Sequence, residues 1–333
     1  MHIRRFIFFA LVFCLGVSGS RAAGPSGYYD AAAGRSGDAL RRTLHEIIND
    51  HTVFPYAAPT GTTDTSDAMR EIDEDPDNPA NLILIYSRRS ELKSNFATGP
   101  GWNREHLWPQ SYGVDREPAR SDLHALRPAD ENVNSARGNK WFDEASQSEG
   151  GYASPGHAEA NMTKADVNSW EPAPADQGDI ARALFYMDVR YEGDRANEPD
   201  LVLSDQVHLI TTANTYMGRL STLLRWHFAD PVSVEERLRN DRVYGYQKNR
   251  NPFVDHPEFV SAVFLDVLRI SRTGNDIRLS WPVRYDFGSM WSGERVTGIA
   301  PGGSSDPVVD GASYVITFDS RSGPAGFFRL GLR

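Results

Sequence analysis

The only cysteine in this chain, Cys14, sits inside an N-terminal apolar run at residues 6–17, so no disulfide can staple anything that follows. The fold must therefore rest on a packed core. At 333 residues that is feasible, because a chain of this length buries about three quarters of its unfolded surface. Cysteine-ligated zinc is removed from consideration by the same observation. The apolar run spans 12 residues, short of the roughly 20 that a membrane-crossing helix needs. Arg4 and Arg5 precede it, and Ser18, Gly19, Ser20, Ala22 and Ala23 follow. A basic start, a short apolar centre and small residues predict a secretory signal peptide over residues 1–22, cut after Ala22. The expectation is export to the periplasm, the cell surface or the medium, with no membrane span.

Removing Arg4, Arg5 and Arg21 with that leader carries the formal net charge from −10 to −13. Such an acidic balance argues against a nucleic-acid partner held by overall charge. A polyanion would need a local basic groove or a bound cation. Apolar residues make up 40 % and charged residues 24 %, which excludes fibrous, collagen-like and wholly disordered chains.

Helical spacing is clearest at residues 36–50, where Leu40, Leu44, Ile47 and Ile48 share one stripe. A second stripe, Ile180, Leu184 and Met187, runs through residues 178–190. Helical patterns recur over 206–226 and 233–240, the latter opened by Ser233 and Glu236 as a capping box. Residues 58–80 read as a loop, 81–86 as a short strand and 146–177 as a long surface excursion. A turn-rich run at 249–258 leads into the apolar stretch 259–268. The period then changes to two: Ile277, Leu279 and Trp281, then Tyr314, Ile316 and Phe318, then Phe328, Leu330 and Leu332 alternate with polar residues. This predicts a main body over 23–270, a boundary at 271–275 and a small antiparallel β module over 276–333. The fold class expected is α+β.

The densest reactive stretch is Asn103-Arg104-Glu105-His106-Leu107-Trp108-Pro109-Gln110-Ser111, followed by Asp122-Leu123-His124-Ala125-Leu126-Arg127-Pro128. Next come Asp130, Asn134, Arg137 and Asn139. Pro128 suits a first helical position and Gly138 the residue past a helix end. The helix predicted between them has Asp130 and Asn134 on one face and Arg137 a turn further on. Hard oxygen donors of this kind suit Mg²⁺ or Ca²⁺. A neutral imidazole beside such an ion can take a proton from water, and arginines fit a phosphate. The combination describes metal-assisted hydrolysis of a phosphodiester. Glu105 and His106 are adjacent, so in a strand they point to opposite faces. Serving one site requires a bend, for which Trp108-Pro109 is the predicted cause. A competing reading is a zinc hydrolase using His106, His124 and Asp122, with a histidine spacing unusual for zinc. A third makes the C-terminal β module a binding element for a cell surface or a polymer.

Residues 103–111, 122–130 and 133–139, together with 178–191, 226–232 and 247–258, resemble the bacterial endonuclease I family of secreted, non-specific nucleases. The resemblance implies a mainly helical nuclease domain around a ββα-metal (His-Me finger) core, with DNA or RNA as substrate and 5′-phosphate products. It implies one divalent cation, Mg²⁺ before Ca²⁺ or Mn²⁺; the chain is expected to be a monomer. It assigns His106 as general base and Glu105 and Asn134 as metal ligands. Arg104, Arg127 and Arg137 are the candidates for the scissile phosphate, and Asp122, His124 and Asn139 are expected to orient the site. Asp188, Arg190, Asn251, Asp255 and His256 fall at family positions read as scaffolding. Some members of the family carry disulfides; this chain, after Cys14, has none.

Overall fold

The computed structural model describes residues 24–265, 269–282, 308–310 and 313–319. The predicted signal peptide and the alternating residues Phe328, Leu330 and Leu332 lie outside the described residues. Eight α-helices occur among them: α1 (Gly37–Ile48), α2 (Thr65–Ile72), α3 (Glu131–Arg137), α4 (Pro174–Arg190), α5 (Leu220–Ala229), α6 (Val234–Gln247), α7 (Pro252–Asp255) and α8 (Glu258–Phe264). The strands form small separate sheets, and the fold is α+β. An antiparallel pair joins β1 (Asn81–Ile83) to β2 (Ser90–Leu92), and another joins β3 (Trp102–His106) to β4 (Leu126–Asp130). Three short strands, β5 (Trp141–Phe142), β6 (Lys164–Ala165) and β7 (Ser169–Glu171), pair in the order β5-β7-β6. A parallel pair links β8 (Val202–Leu203) to β9 (Tyr216–Met217). The last sheet holds β10 (Arg269–Thr273), β11 (Asp276–Pro282), β12 (Val308–Asp310) and β13 (Ser313–Asp319), antiparallel in the order β10-β11-β13-β12.

Helix α4 is buried almost all round, as a central helix must be. Its apolar residues Ile180, Leu184, Phe185 and Met187 pack in one core with Leu40, Leu44 and Ile48 of α1, Leu223 of α5 and Val263 and Phe264 of α8. Burial on every side would strand its charged residues without partners, and each has one. Arg182 forms two bonds to Glu236, at 2.7 and 2.6 Å, and Arg190 two to Glu198, at 2.7 and 3.1 Å. Asp188 accepts from Arg41 at 2.5 Å. At the start of α4 the chain passes so close to Asp230 that a Cβ on Gly178 would lie 2.2 Å from its carbonyl oxygen. Only glycine fits there.

A smaller second core gathers Ala68, Met69 and Ile72 of α2, Leu82 and Leu84, Trp102, Leu123, Leu126 and Val243 of α6. The β3–β4 hairpin lies between the two cores. Register pairs His106 with Leu126 and Asn103 with Ala129. Leu126 belongs to the second core and Ala129 to the main one, so each face of the hairpin is turned to a different core.

Several expectations are corrected. Helix α2 falls inside residues 58–80, read from their polarity as a loop. Its start is a full capping box: Asp64 accepts from the Ser66 and Asp67 N–H groups at 2.7 and 3.2 Å, and Asp67 accepts from the Asp64 N–H. Pro128 is not the first residue of a helix but lies within β4 opposite Arg104. The helix starts after Asp130, whose carboxylate accepts from Asn132 and Val133 N–H at 2.8 and 3.2 Å. Asp130 is therefore the cap rather than part of a helical face. Residues 206–226 are not one helix; β9 interrupts them and α5 opens only at Leu220. Residues 271–275 hold the end of β10 and the turn into β11.

Behind the hairpin Asp122 is fully buried and accepts four hydrogen bonds. These come from the hydroxyls of Tyr186 and Tyr191 at 2.8 and 2.9 Å, the His124 N–H at 3.0 Å and the Gln247 amide at 3.1 Å. Burial alone would raise its pKa, but His51, His124 and these donors hold it below the ordinary aspartate value. Asn249 extends the network by donating to Tyr186 Oη at 2.7 Å and to the Ile48 carbonyl at 2.9 Å. Asp122→Asn sets an amide donor among these donors. It is expected to cost about 2–3 kcal/mol, read as a fall in the urea midpoint with an unchanged slope.

Candidate active site

Glu105 is the centre of the buried side of the hairpin. Its Oε1 accepts from the Tyr86 hydroxyl at 2.5 Å and from Arg137 Nη1 at 2.9 Å. Arg137, in the last turn of α3, also donates to the carbonyls of His106 and Leu107, each at 2.9 Å, and lies over the Phe142 ring at 4.6 Å. Burial pushes the Glu105 carboxyl above its ordinary range, and the Arg137 charge with the Tyr86 hydroxyl pulls it back. Asn134, one turn before Arg137, donates from Nδ2 to Asn103 Oδ1 at 2.6 Å and to the Arg104 carbonyl at 3.3 Å. A backbone carbonyl can only accept, so the amide nitrogen must face β3 and Oδ1 is turned away from it.

His106 lies on the other face, as strand alternation requires, and is the last residue of β3, so a site shared with Glu105 must sit at that end of the hairpin. Its ring is stacked on Tyr56, centroids 5.3 Å apart at 30°. Nε2 is 3.0 Å from the Arg120 carbonyl, which can only accept; the ring proton therefore sits on Nε2. Nδ1 is left with its lone pair, approached only by the Gln110 amide at a long 3.4 Å. Burial, helped by the charges of Arg120, Arg104 and Arg137, pushes His106 down to about 4. At neutral pH the imidazole is uncharged and able to accept a proton.

The donors on this hairpin fit a hard cation. Both side-chain bonds to Glu105 fall on Oε1, the His106 main-chain N–H also bonds the carboxylate, and Asn134 offers Oδ1. One carboxylate and one amide oxygen are too few for zinc and suit an ion that retains most of its water. Among the described residues no group of three or more His, Cys, Asp and Glu gathers to chelate a metal. The zinc reading needed His124 and Asp122 beside His106, but Asp122 is taken up by Tyr186, Tyr191 and Gln247.

The remaining expected site residues separate by position. Arg137 is enclosed and bonded within the protein, so it buttresses Glu105 instead of facing solvent. Arg127, opposite Glu105 in the hairpin, reaches Asp73 at 3.4 Å and Asp179 at 3.6 Å. It lines a cleft with His124, Asp179, Glu236 and Arg239. Asp122 and His124 belong to the buried network described above, His124 Nε2 standing 3.3 Å from the Asn249 carbonyl. Asn139 is exposed in the turn after α3. Arg104 alone of the three candidate arginines shares the His106 side, with its guanidinium 3.9 Å from the Tyr56 ring centroid. Arg120 is the residue that sequence reading missed. Its guanidinium lies 4.0 Å from the same ring, and its buried Nε has no hydrogen-bond partner among the described residues. The signal was available: Arg116 and Arg120 put two arginines into the loop joining the two reactive motifs of an acidic chain. Tyr86, which holds Glu105, was read only as a strand end.

Residues 36–258 match the family model described as Endonuclease I. The chain belongs to the endonuclease I family. Among curated proteins it is 44 % identical over 242 residues to the extracellular ribonuclease of Bacillus subtilis (strain 168), covering 71 % of this chain and 78 % of that protein. It is 45 % identical over 241 residues to the extracellular ribonuclease of Bacillus amyloliquefaciens, with the same coverage. The family assignment makes this endonuclease I chain a phosphodiester hydrolase, and its match ends before β10, so the last sheet lies beyond the family region.

Two histidines of this endonuclease I fold predict its acid sensitivity. Burial pushes both His124 and His227 down to about 4. At pH 7 both are neutral in the folded chain and mostly neutral in the unfolded one. Below the unfolded value near 6.5 the unfolded chain takes up protons that the folded one refuses, so stability drains away as pH falls toward 4. The loss is of the order of 2–3 kcal/mol for each residue. His227→Gln is expected to flatten the fall of the thermal midpoint between pH 6.5 and 4. An unchanged pH profile in that variant contradicts the assignment.

Proposed function

We propose that the protein is an exported, metal-dependent endonuclease that cuts RNA and DNA with little sequence preference and leaves 5′-phosphates. The reading is carried by one observation: a neutral imidazole whose Nε2 proton is tied to a main-chain carbonyl, presenting the Nδ1 lone pair beside two arginines. Membership of the endonuclease I family and the extracellular ribonucleases among its relatives support the substrate class and the export. Among the described residues no helix is long and apolar enough to cross a membrane.

In this reading β3, β4 and α3 are the ββα element of a His-Me finger. His106 Nδ1 takes the proton of the attacking water. Arg120 and Arg104 face the phosphate and offset its growing negative charge. Glu105 Oε2 and Asn134 Oδ1 would hold a divalent cation, Mg²⁺ before Ca²⁺ or Mn²⁺, with water in its other positions. When bound, that ion supplies Lewis-acid stabilisation of charge on the phosphate and the leaving oxygen. Arg137 and Tyr86 keep Glu105 in place while burial disfavours its charge. The 2′-hydroxyl takes no part, so both sugars are cut.

The test is a gel assay on RNA and plasmid DNA, with Mg²⁺ or with chelator. His106→Ala is expected to lower turnover by about 10²–10⁴, the usual worth of a general base, while its thermal midpoint stays near that of the wild type. Chelator is expected to stop cutting of both polymers and Mg²⁺ to restore it. Near-normal cutting by His106→Ala in excess Mg²⁺ removes the base assignment; cutting that persists in chelator removes the metal.

A further inference from the structure

The arginines beside His106 do not end at the site. Arg104 lies 3.9 Å from the Tyr56 ring and 5.1 Å from the Phe96 ring. On the other side of Phe96, Arg70 of α2 stands 5.4 Å from that ring and 5.7 Å from Trp102. Cations and aromatic rings thus alternate along one path, Arg120–Tyr56–Arg104–Phe96–Arg70, leading from the imidazole across the loop onto α2. The rings help to hold three like charges close together.

Two further features mark this path as a surface built to receive anions. Arg120 has the buried, unpartnered Nε already described. Arg70 commits Nε to the Lys93 carbonyl and Nη1 to Asp67 and Ser66, leaving Nη2 for a ligand. Acidic groups do border the row: Asp67 is 2.7 Å from Arg70, and Asp64 is 4.0 Å from Arg104. Asp67 is half exposed and its pair with Arg70 is solvated, so a phosphate can share the guanidinium. Asp64 is occupied in capping α2. In a chain with net charge −10, such a row is the local basic track that a polyanion requires.

We propose that this row is an extended phosphate track for the nucleic-acid backbone, in which Arg70 binds a phosphate next to, rather than at, the scissile bond. The proposal deepens the nuclease reading above and rests on it for the identity of the strand. Arg70 acts by holding substrate, so its loss should appear in KM more than in kcat, and more with long substrates than with short ones.

The experiment compares wild type, Arg70→Gln, Arg70→Lys and Lys164→Gln on 5′-fluorescein single-stranded oligonucleotides of four and twelve nucleotides, across a salt series. Lys164→Gln removes the same charge from β6 and serves as the control. Arg70→Gln is expected to raise KM for the twelve-mer about 5–10-fold, and to reduce the slope of log KM against log salt by about 0.7, one phosphate contact on a single strand. Arg70→Lys, which keeps the charge, is expected to retain most of the slope. Lys164→Gln is expected to match wild type. A slope in Arg70→Gln equal to that of Lys164→Gln, or an equal rise of KM on both lengths, overturns the track. The measurement needs only that the protein cuts, so it stands or falls separately from the role of His106.

Discussion

The guanidinium of Arg137 joins α3 to β3, the strand of Glu105 and His106. Without it Glu105 would be a buried carboxylate held by the Tyr86 hydroxyl and the His106 main-chain N–H, stripped of its cationic partner. Burying a charge costs several kcal/mol unless a partner and hydrogen bonds offset it. Arg137 supplies the partner, and its two bonds to the His106 and Leu107 carbonyls fix the strand end immediately after the reactive pair. A lysine would deliver one charge but not three directed bonds from a planar fork. The position of Asn134, one turn earlier in the same short helix, then follows from helix geometry rather than from separate contacts.

The hairpin divides the labour between its faces. Tyr86, Glu105 and Arg137 occupy the side packed on the main helical core. His106, Arg104 and the Tyr56 loop occupy the side bordering the smaller core. On the proposed reading an acidic chain would meet a polyanion on this second side, where Arg120, Arg104 and Arg70 stand against aromatic faces. Overall charge says little about such a surface; the arrangement of a few arginines decides it.

Much of this was legible in the sequence, and the exceptions have physical causes. Helices α1 and α4 were readable because their apolar residues recur at helical spacing over three or more turns. Helix α2 was not, since eight residues with two acids and an arginine carry too short a stripe to stand out from a polar loop. Pro128 misled because its preference for a first helical turn is local, whereas the pairing of β4 with β3 joins residues 20 to 28 positions apart. Of the candidate site, Glu105, His106 and Asn134 were singled out through motif resemblance. Arg120 was not, because its role depends on where a loop of no regular structure brings it. Arg127 and Arg137 became candidates through sequence proximity to the motif, which does not say that Arg127 pairs with Asp73 and Asp179 or that Arg137 is enclosed against Glu105.

The hydrogen bond from His106 Nε2 ends on the main-chain oxygen of residue 120, not on its side chain. Position 120 therefore sets the tautomer through its backbone while its guanidinium lies over the Tyr56 ring. If that guanidinium meets a phosphate, as proposed, natural variation there would strengthen or relax the grip on a polynucleotide while leaving the imidazole aimed as before. Affinity and proton abstraction would then be separately adjustable at a single codon.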